Sequence, residues 1–236
     1  WAIEKEFWMH QENGKWVPNY VVTSPREVTF IQVDKDKLPH RVLFITKNRK
    51  ELTKTNVLKY IEYGEEKGYH KRPTCASRHK WWDLGKQSFT PLCWFKAFND
   101  RVVAPFLDNI FISDRFYPIY FNAASVQNIK LVCAILNSTL QALIVELSGR
   151  VVLGQGALDN MTYEAAAMLI VNPSKINKKL IKPIENSFDN LCQREISSVF
   201  EEIGANSPEE VSLDKVKPDR KELDKIIMGE ILGLSE

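Results

Sequence analysis

The sequence contains little cysteine, and its thiols follow no recognisable pattern. Four cysteines occur in 236 residues, and no two of them form a Cys-x-x-Cys pair. A disulfide framework and a zinc ribbon are therefore not indicated, and reduced thiols predict a cytoplasmic protein. The four scattered positions are Cys75, Cys93, Cys133 and Cys192.

The sequence also lacks a hydrophobic run long enough to predict a membrane span. Its most apolar stretch, residues 129–147, is interrupted by Asn137, Ser138, Gln141 and Glu146, whereas a spanning helix needs about 20 apolar residues. The first residues have no signal-peptide pattern, so we expect no membrane partner. Because the chain opens on Trp1 inside a structured pattern, we expect a fragment of a longer protein.

Motifs for self-contained catalysis are missing as well. The sequence has no Gly-x-Ser-x-Gly elbow. The Gly154-Gln155-Gly156 turn lacks the further glycine, the acidic residue and the lysine that nucleotide sites use. Paired carboxylates such as Glu65-Glu66 and Glu201-Glu202 fall on charged helical faces. We therefore predict no catalytic residue in this chain.

The composition predicts a folded chain whose charge is unevenly distributed. Hydrophobic residues make up 44% and charged residues 26% of the sequence, which is ordinary for a globular protein. The net charge of +2 divides into +6 for residues 1–120 (20 Lys+Arg, 14 Asp+Glu) and −4 for the remainder (12 against 16). A polyanion would therefore bind the first half.

The most distinctive stretch runs from Lys67 to Trp82 and contains no carboxylate. Its cations suit phosphates and guanine edges, and its aromatic rings suit stacking on bases, so we expect double-stranded DNA as the partner. The candidate DNA-binding residues are Lys67, Lys71, Arg72, Arg78, Lys80 and Trp81. The alternative is a solvated loop beside core tryptophans. Of the adjacent Trp81 and Trp82, we expect one to anchor the core and the other to face the loop side.

A metal site is a further alternative for this stretch. His70, Cys75 and His79, with Cys93 beyond them, are residue types that bind zinc. Their spacing matches no common zinc finger, and we predict no metal ligand here.

Periodicity and turn residues predict a β-rich first half and a helical second half. We expect strands at Val28–Val33, Arg41–Ile45, Pro91–Phe98, Arg101–Ala104, Asn109–Ser113 and Phe116–Phe121. We expect helices at Asn56–Glu66, at Val126–Leu147 with Ser125 as its N-cap, along Ile176–Ile196, and from Pro218 onward, with a loop at Tyr69–Ser77.

The predicted fold class is α+β, with a mixed or largely antiparallel sheet, one long packed helix and a helical C-terminal extension. We divide the chain into residues 1–173 and 174–236, with a linker near residues 207–218 and a final segment that docks elsewhere or on a partner. A rival function from another class is a non-catalytic scaffold that binds a partner subunit through the apolar stripes of its C-terminal helices.

Four motifs follow one another between Val42 and Pro173: Tyr60-Ile61-Glu62-x-Gly64-Glu65, Arg72-x-Thr74-Cys75-x-x-Arg78-x-x-Trp81-Trp82-x-Leu84, Leu136-Asn137-Ser138-Thr139 and Gly149-Arg150-x-x-Leu153-Gly154-x-Gly156-Ala157-Leu158. In this order they resemble the C-terminal region of adenine-specific N6 DNA methyltransferases of the TaqI and Eco57I type. The helical tail, with Arg220-Lys221-Glu222-Leu223-Asp224, is similar to the end of such proteins.

This resemblance implies a target recognition domain of a restriction-modification protein. Such a domain reads the DNA sequence while a separate upstream methyltransferase domain binds S-adenosylmethionine and transfers the methyl group. The family's catalytic Asn-Pro-Pro-Tyr is absent, because Ser174 follows Asn172-Pro173. The resemblance therefore implies that this chain alone binds DNA without transferring a methyl group. It also implies that Asn137 and Ser138 are architectural residues and that Arg150 and Gln155 are further candidates for DNA contacts.

Overall fold

The computed structural model describes residues 1–121, 128–151 and 157–234. In these residues the helices are α1 (Lys5–Trp8), α2 (Asn56–Glu66), α3 (Pro73–Ala76), α4 (Ile129–Leu136), α5 (Thr139–Ser148), α6 (Thr162–Ala167), α7 (Lys178–Leu191), α8 (Val199–Ile203) and α9 (Pro218–Asp224). A π-helical segment, Lys225–Ile231, continues α9. Short 3-10 turns include Tyr69–Lys71 and Pro173–Lys175.

The strands form four small sheets instead of one large sheet. Their bounds are β1 (Met9–Glu12), β2 (Lys15–Pro18), β3 (Val21–Val22), β4 (Leu92–Phe95), β5 (Ala97–Phe98), β6 (Phe111–Ile112), β7 (Phe116–Ile119), β8 (Arg150–Val151) and β9 (Leu158–Asp159). β1 pairs with β2, β4 with β7, and β9 with both β5 and β8, all antiparallel, while β3 pairs with β6 in parallel. The α+β class with largely antiparallel pairing is confirmed.

Three predicted strands are wrong although most of their apolar residues are buried or half-buried. Val28–Val33 and Arg41–Ile45 make only isolated bridges, at Gln32 and Arg41, and Arg101–Ala104 has no strand partner among the described residues. Val28 is 1% exposed and Ile31 is fully buried. The β-branched pattern therefore indicates burial correctly, but a ladder also requires a neighbouring strand in register.

The predicted helix Val126–Leu147 is two helices, α4 and α5, separated at Asn137-Ser138. Asn137 donates from Nδ2 to the Ala104 carbonyl at 2.9 Å and accepts the Ala104 N–H at 3.1 Å. The Ser138 hydroxyl donates to the Ile135 carbonyl at 2.8 Å and accepts the Gln141 N–H at 3.3 Å, so it caps α5. The apolar stripe passes through this break, which is why periodicity alone does not reveal it. Ser125 lies outside the described residues.

The C-terminal helices pack on the same core as the strands. The buried side chains Ile184, Phe188, Leu191, Leu223 and Ile227 join the large hydrophobic cluster that contains β4 and α4. The stripe that the scaffold hypothesis assigns to a partner is therefore covered by the protein itself. The final segment likewise docks on this chain, which corrects the expectation that it docks elsewhere, and the boundary at residue 173 stays a prediction.

A second, smaller hydrophobic cluster lies under the basic stretch. It consists of Phe7, Ile45, Leu52, Val57 and Ile61. Because α2 contributes two of these residues, the smaller cluster fixes the helix from which the Lys67–Trp82 stretch emerges.

Among the described residues no single helix has the length and apolarity needed to cross a membrane; α4 and α5 meet that test only as a pair, across a bend of 61°.

Candidate nucleic-acid interface

The basic segment, defined as residues 67–80, begins where α2 ends. Thr55 caps the start of α2 by accepting the Leu58 N–H at 3.2 Å. At its other end the Gly68 N–H donates to the Glu65 carbonyl at 2.9 Å, and Gly68 adopts a positive φ of 74° that suits glycine. The chain therefore turns sharply at Gly68 and enters the basic segment.

The predicted loop at Tyr69–Ser77 is wrong, because most of it is helical. A 3-10 turn at Tyr69–Lys71 leads into α3, and Pro73 occupies the first turn of α3. Arg72 precedes this proline with φ −64° and ψ 140°, the extended conformation that such a position favours. Two consecutive helical turns therefore hold Lys71 and Arg72 on a defined backbone.

Four of the five cations in the basic segment are exposed and make no ion pair with any residue in the described ranges. They are Lys67, Lys71, Arg72 and Arg78. The Arg72 guanidinium lies 4.6 Å from the Tyr69 ring centroid, and the Lys67 ammonium lies 5.5 Å from that of Tyr63. An aromatic ring orients a cation without cancelling its charge, and at an exposed site it contributes about 0.5–1 kcal/mol. These charges therefore remain available to an anion.

The fifth cation, Lys80, contacts the protein itself. Its ammonium lies 3.0 Å from Asp83 Oδ2 and also donates to the Thr46 carbonyl. The Gly85 backbone N–H and the Lys80 ammonium together lower the pKa of Asp83. These contacts explain Lys80 without DNA, so its role as a DNA contact stays a prediction and it does not enter our proposal.

Trp81 is also committed to the fold, through α2. Its Nε1 donates to Glu65 Oε1 at 3.1 Å. Its ring lies so close to Gly64 that a Cβ there would fall 2.5 Å from Trp81 Cη2. Gly64 is therefore the residue that lets the indole lie against the helix, and stacking of Trp81 on a base stays a prediction.

Glu65 connects three parts of this region. It accepts hydrogen bonds from the Arg49 guanidinium as well as from Trp81, and Arg49 lies 3.5 Å from Glu62 Oε1. Burial opposes ionisation of Glu65, but the hydrogen bonds from Arg49 and Trp81 outweigh it, and its pKa lies below the ordinary value. The carboxylate therefore clamps the end of the basic segment to α2.

Trp81 and Trp82 do not divide between core and loop as expected. Both are half-buried against the smaller cluster, with ring centroids 6.2 Å apart at an interplanar angle of 85°. The prediction that one faces away is wrong, because the chain turns at these residues instead of running extended.

The four residues considered for zinc do not converge. Cys93 is fully buried in β4 within the larger cluster, where burial raises the pKa of its thiol, while Cys75 lies in α3 of the basic segment. In the part of the chain that the structure describes, no three His, Cys, Asp or Glu side chains are placed to hold a metal ion.

Of the further positions named in the sequence, Asn137 and Ser138 are architectural. The hydrogen bonds of Asn137 and Ser138 described above confirm their role at the junction of α4 and α5. Arg150 Nε lies 2.6 Å from Glu164 Oε1, so its charge is paired. Gln155 and the Gly154–Gly156 turn lie outside the described residues.

Glu65, Gly64 and Arg49 have structural roles that sequence reasoning missed. The sequence pattern places Glu65 on a charged helical face and gives no role to Arg49. The available signal was the glycine at position 64, because a glycine inside a helix disfavours helix formation and calls for a packing reason.

The profile of the family described as "Type II methyltransferase M.Eco57I, C-terminal domain" matches residues 24–204. The chain belongs to this family. The matched range includes α2, the basic segment, both hydrophobic clusters in part, and α7. A search of curated proteins finds no match.

The fold of this member of the M.Eco57I C-terminal domain family is also similar to part of a solved structure, that of the type IIG restriction endonuclease BpuSI. The TM-score is 0.52 at 11% sequence identity, and the match covers 99% of this chain. The chain spans 27% of the BpuSI chain. At this identity the likeness concerns the fold.

Proposed function

We propose that this domain binds double-stranded DNA and supplies the sequence recognition of an adenine-N6 DNA methyltransferase in a restriction-modification protein. The observation that carries the proposal is the basic segment, where Lys67, Lys71, Arg72 and Arg78 are exposed and have no carboxylate partner among the described residues. Membership of a methyltransferase C-terminal family supports the parent activity.

The chemistry fits a division of labour between two domains. A methyltransferase that modifies a base must extrude it from the stack, and a second domain then has to hold the duplex while stacking is lost. Cations on phosphates supply affinity, and arginines at guanine edges supply sequence choice. All four cations are candidates for phosphate contacts, and Arg72 and Arg78 are also the candidates for base contacts.

The methyl-transfer step belongs to a domain outside this chain. The sequence contains no Asn-Pro-Pro-Tyr, since Ser174 follows Asn172-Pro173. S-adenosylmethionine would therefore be bound by an upstream methyltransferase domain, and this domain would orient the target adenine towards it.

The test measures affinity for a 30-base-pair mixed-sequence duplex at rising salt, with Arg72→Ala and Arg78→Ala. Each variant should weaken binding, and each lost phosphate contact should make the plot of log affinity against log salt less steep by about 0.9. A variant that loses a base contact should also relax the site selected from a pool of randomised duplexes.

Arg26→Ala is the matched control, because Arg26 is exposed, has no ion pair within the described ranges and lies outside the basic segment. It should bind like the parent. Binding that does not respond to salt, or arginine variants that bind as tightly as the parent, would contradict the proposal.

A further inference from the structure

A second carboxylate-free, cationic stretch lies in the acidic half of the chain. No Asp or Glu occurs between Glu164 and Glu185, and four lysines fall close together before Glu185. We call these residues the lysine face: Lys175, Lys178, Lys179 and Lys182. Because the chain after residue 120 carries a net −4, this concentration of positive charge is a local exception.

The fold places the lysine face on the outer surface. α7 buries Ile184, Phe188 and Leu191 in the larger cluster. At 100° per residue, Lys178, Lys179 and Lys182 fall on the opposite side of the helix, and all four lysines of the face are exposed. The buried stripe therefore holds a rigid element whose outer surface at this end is cationic.

The lysines have little to do in the fold itself. Only Lys182 has a carboxylate partner in the described residues, at 3.6 Å from Glu185 with 73% of the lysine side chain exposed, and such an exposed pair contributes little. Lys178 and Lys179 lie in the first turn of α7, where no acidic residue is present. The helix dipole disfavours cations at this end, so their charge is a small cost to the helix.

The second half of the same helix shows the contrast. Asp189 Oδ1 lies 2.5 Å from the Lys130 ammonium, and Glu185 accepts a hydrogen bond from Asn128. Both carboxylates therefore connect α7 to the start of α4. The carboxylates in that half of α7 bond to another element of the fold, whereas the lysine face bonds to no other element among the described residues.

We propose that the lysine face is a second DNA-binding surface, which contacts the sugar-phosphate backbone of the duplex without reading its sequence. This inference rests on the proposed function and adds a separate site to it. Lysine acts on phosphate as a mobile point charge, while arginine provides the fixed fork suited to base edges. Lys178 to Lys182 extend roughly 6 Å along α7, and duplex DNA presents about three to four charges over that length.

The test compares Lys178→Gln/Lys179→Gln with the parent on the 30-base-pair duplex over a range of salt concentrations. If each lysine neutralises one phosphate, the salt dependence should become less steep by about 2, and affinity at low salt should fall about tenfold or more. The site selected from randomised duplexes should stay the same. The melting temperature should stay equal or rise, because the helix dipole favours losing these charges.

The double variant Lys215→Gln/Lys225→Gln is the control. It removes the same charge from two exposed lysines elsewhere in the acidic half and should leave the salt dependence unchanged. A lysine-face variant with the parent's salt dependence overturns this inference, and so does a control variant with an equal effect, because the response would then follow net charge alone.

The outcomes separate this inference from the proposed function. If Arg72→Ala and Arg78→Ala weaken binding and the lysine-face variant does not, only the lysine face is refuted. If the reverse holds, the basic segment is refuted and the lysine face stands. A chain that binds vesicles of anionic lipid through these lysines but does not bind the duplex would overturn both.

Discussion

The cations of the basic segment and those of the C-terminal helices differ in what surrounds them. Arg220 is 5% exposed, and its guanidinium donates to Glu202 at 2.7 Å and to the Asn137 carbonyl at 3.0 Å. Arg194 donates to the same Glu202 at 2.7 and 2.8 Å and to Asp219 at 2.7 Å. In the basic segment, by contrast, the nearest partners of Arg72 and Lys67 are aromatic rings.

This difference separates cations that build the fold from cations that are available to a ligand. A carboxylate both orients a guanidinium and cancels its charge, whereas an aromatic ring only orients it. The C-terminal network joins α8, α9 and the segment that follows α7 through Glu202, and the charges of its arginines are compensated within the protein. In the basic segment four of the five cations have no carboxylate partner among the described residues, which is the reason that total net charge is a poor guide to where a polyanion binds.

The largest expected effect tests the folding side of this comparison. Glu202→Gln should lower the free energy of unfolding by about 3–5 kcal/mol, because the buried Arg220 loses the carboxylate that compensates its charge and Arg194 keeps only Asp219. Urea unfolding followed by circular dichroism measures it. Glu195→Gln, at an exposed carboxylate on the same stretch, should change stability by less than about 0.5 kcal/mol. A Glu202→Gln protein as stable as the parent would show that the cations of the C-terminal network do not stabilise the fold.

The pH dependence gives a second measurement of the same interaction. Burial opposes ionisation of Glu202, but hydrogen bonds from Arg194 and Arg220 outweigh it and hold its pKa well below the ordinary 4.5. Its contribution is therefore fully present above that ordinary pKa and is lost as pH falls towards the folded-state pKa. The stability difference between parent and Glu202→Gln should be constant above about pH 5.5 and narrow progressively below about pH 4.5. A difference that widens in acid would contradict this.

Local signals predict helices better than strands in this chain. α2 has the bounds that its sequence predicts, because Thr55 caps it and Val57 and Ile61 are buried one turn apart. Val28, Ile31 and Val33 are buried, yet among the described residues the backbone of this stretch makes one bridge, from Gln32 to Phe106, and one isolated long-range hydrogen bond, from the Ile196 N–H to the Thr29 carbonyl. A strand depends on a distant partner whose register the local pattern does not contain.

The same distinction applies to the candidate site. The exposed cations are visible in the sequence because no carboxylate lies among them, and the partner of Lys80 is visible at Asp83, three residues away. The role of Trp81 is not visible, because its partner Glu65 lies 16 residues earlier. Sequence therefore locates the basic segment, while tertiary contacts decide which of its residues are free to bind.

A smaller effect is expected where the basic segment joins the fold. Gly64→Ala should lower the free energy of unfolding by about 1–3 kcal/mol, because the added Cβ would meet Trp81 Cη2 at 2.5 Å. Alanine favours a helix over glycine by about 1 kcal/mol. We expect the clash to exceed this gain, because the Trp81 indole is packed and cannot move away from the added Cβ without losing contacts. Thermal or urea unfolding measures the change.

Gly229→Ala is the control for Gly64→Ala, since a Cβ at Gly229 meets no atom within 4 Å, and it should be neutral or stabilising. In a Trp81→Phe background, where the contacting Cη2 and Cζ2 atoms of the indole are removed, Gly64→Ala should cost less than it does in the parent. If Gly64→Ala lowers the free energy of unfolding equally in both backgrounds, the contact with the Trp81 indole is not the cause.

The smallest effect tests whether Glu65 positions the basic segment. Removing a carboxylate beside a cationic surface should by charge alone strengthen DNA binding, and Glu66→Gln, at an exposed carboxylate, should do so slightly. Glu65→Gln removes the same charge but weakens the hydrogen bonds from Arg49 and Trp81. We expect two- to fivefold weaker binding, corresponding to roughly 0.5–1 kcal/mol, measured as affinity for the 30-base-pair duplex.

The two variants are expected to change the affinity for DNA in opposite directions, which makes the pair decisive. A generally damaged protein would lower affinity by reducing the folded fraction, so both variants are compared well below their melting temperatures. If Glu65→Gln strengthens binding as much as Glu66→Gln does, the clamp has no part in presenting the cations, and the basic segment binds as a flexible charged loop. If Glu65→Gln weakens binding while Glu66→Gln strengthens it, the contact between Glu65 and Trp81 connects the smaller hydrophobic cluster to the DNA-binding surface.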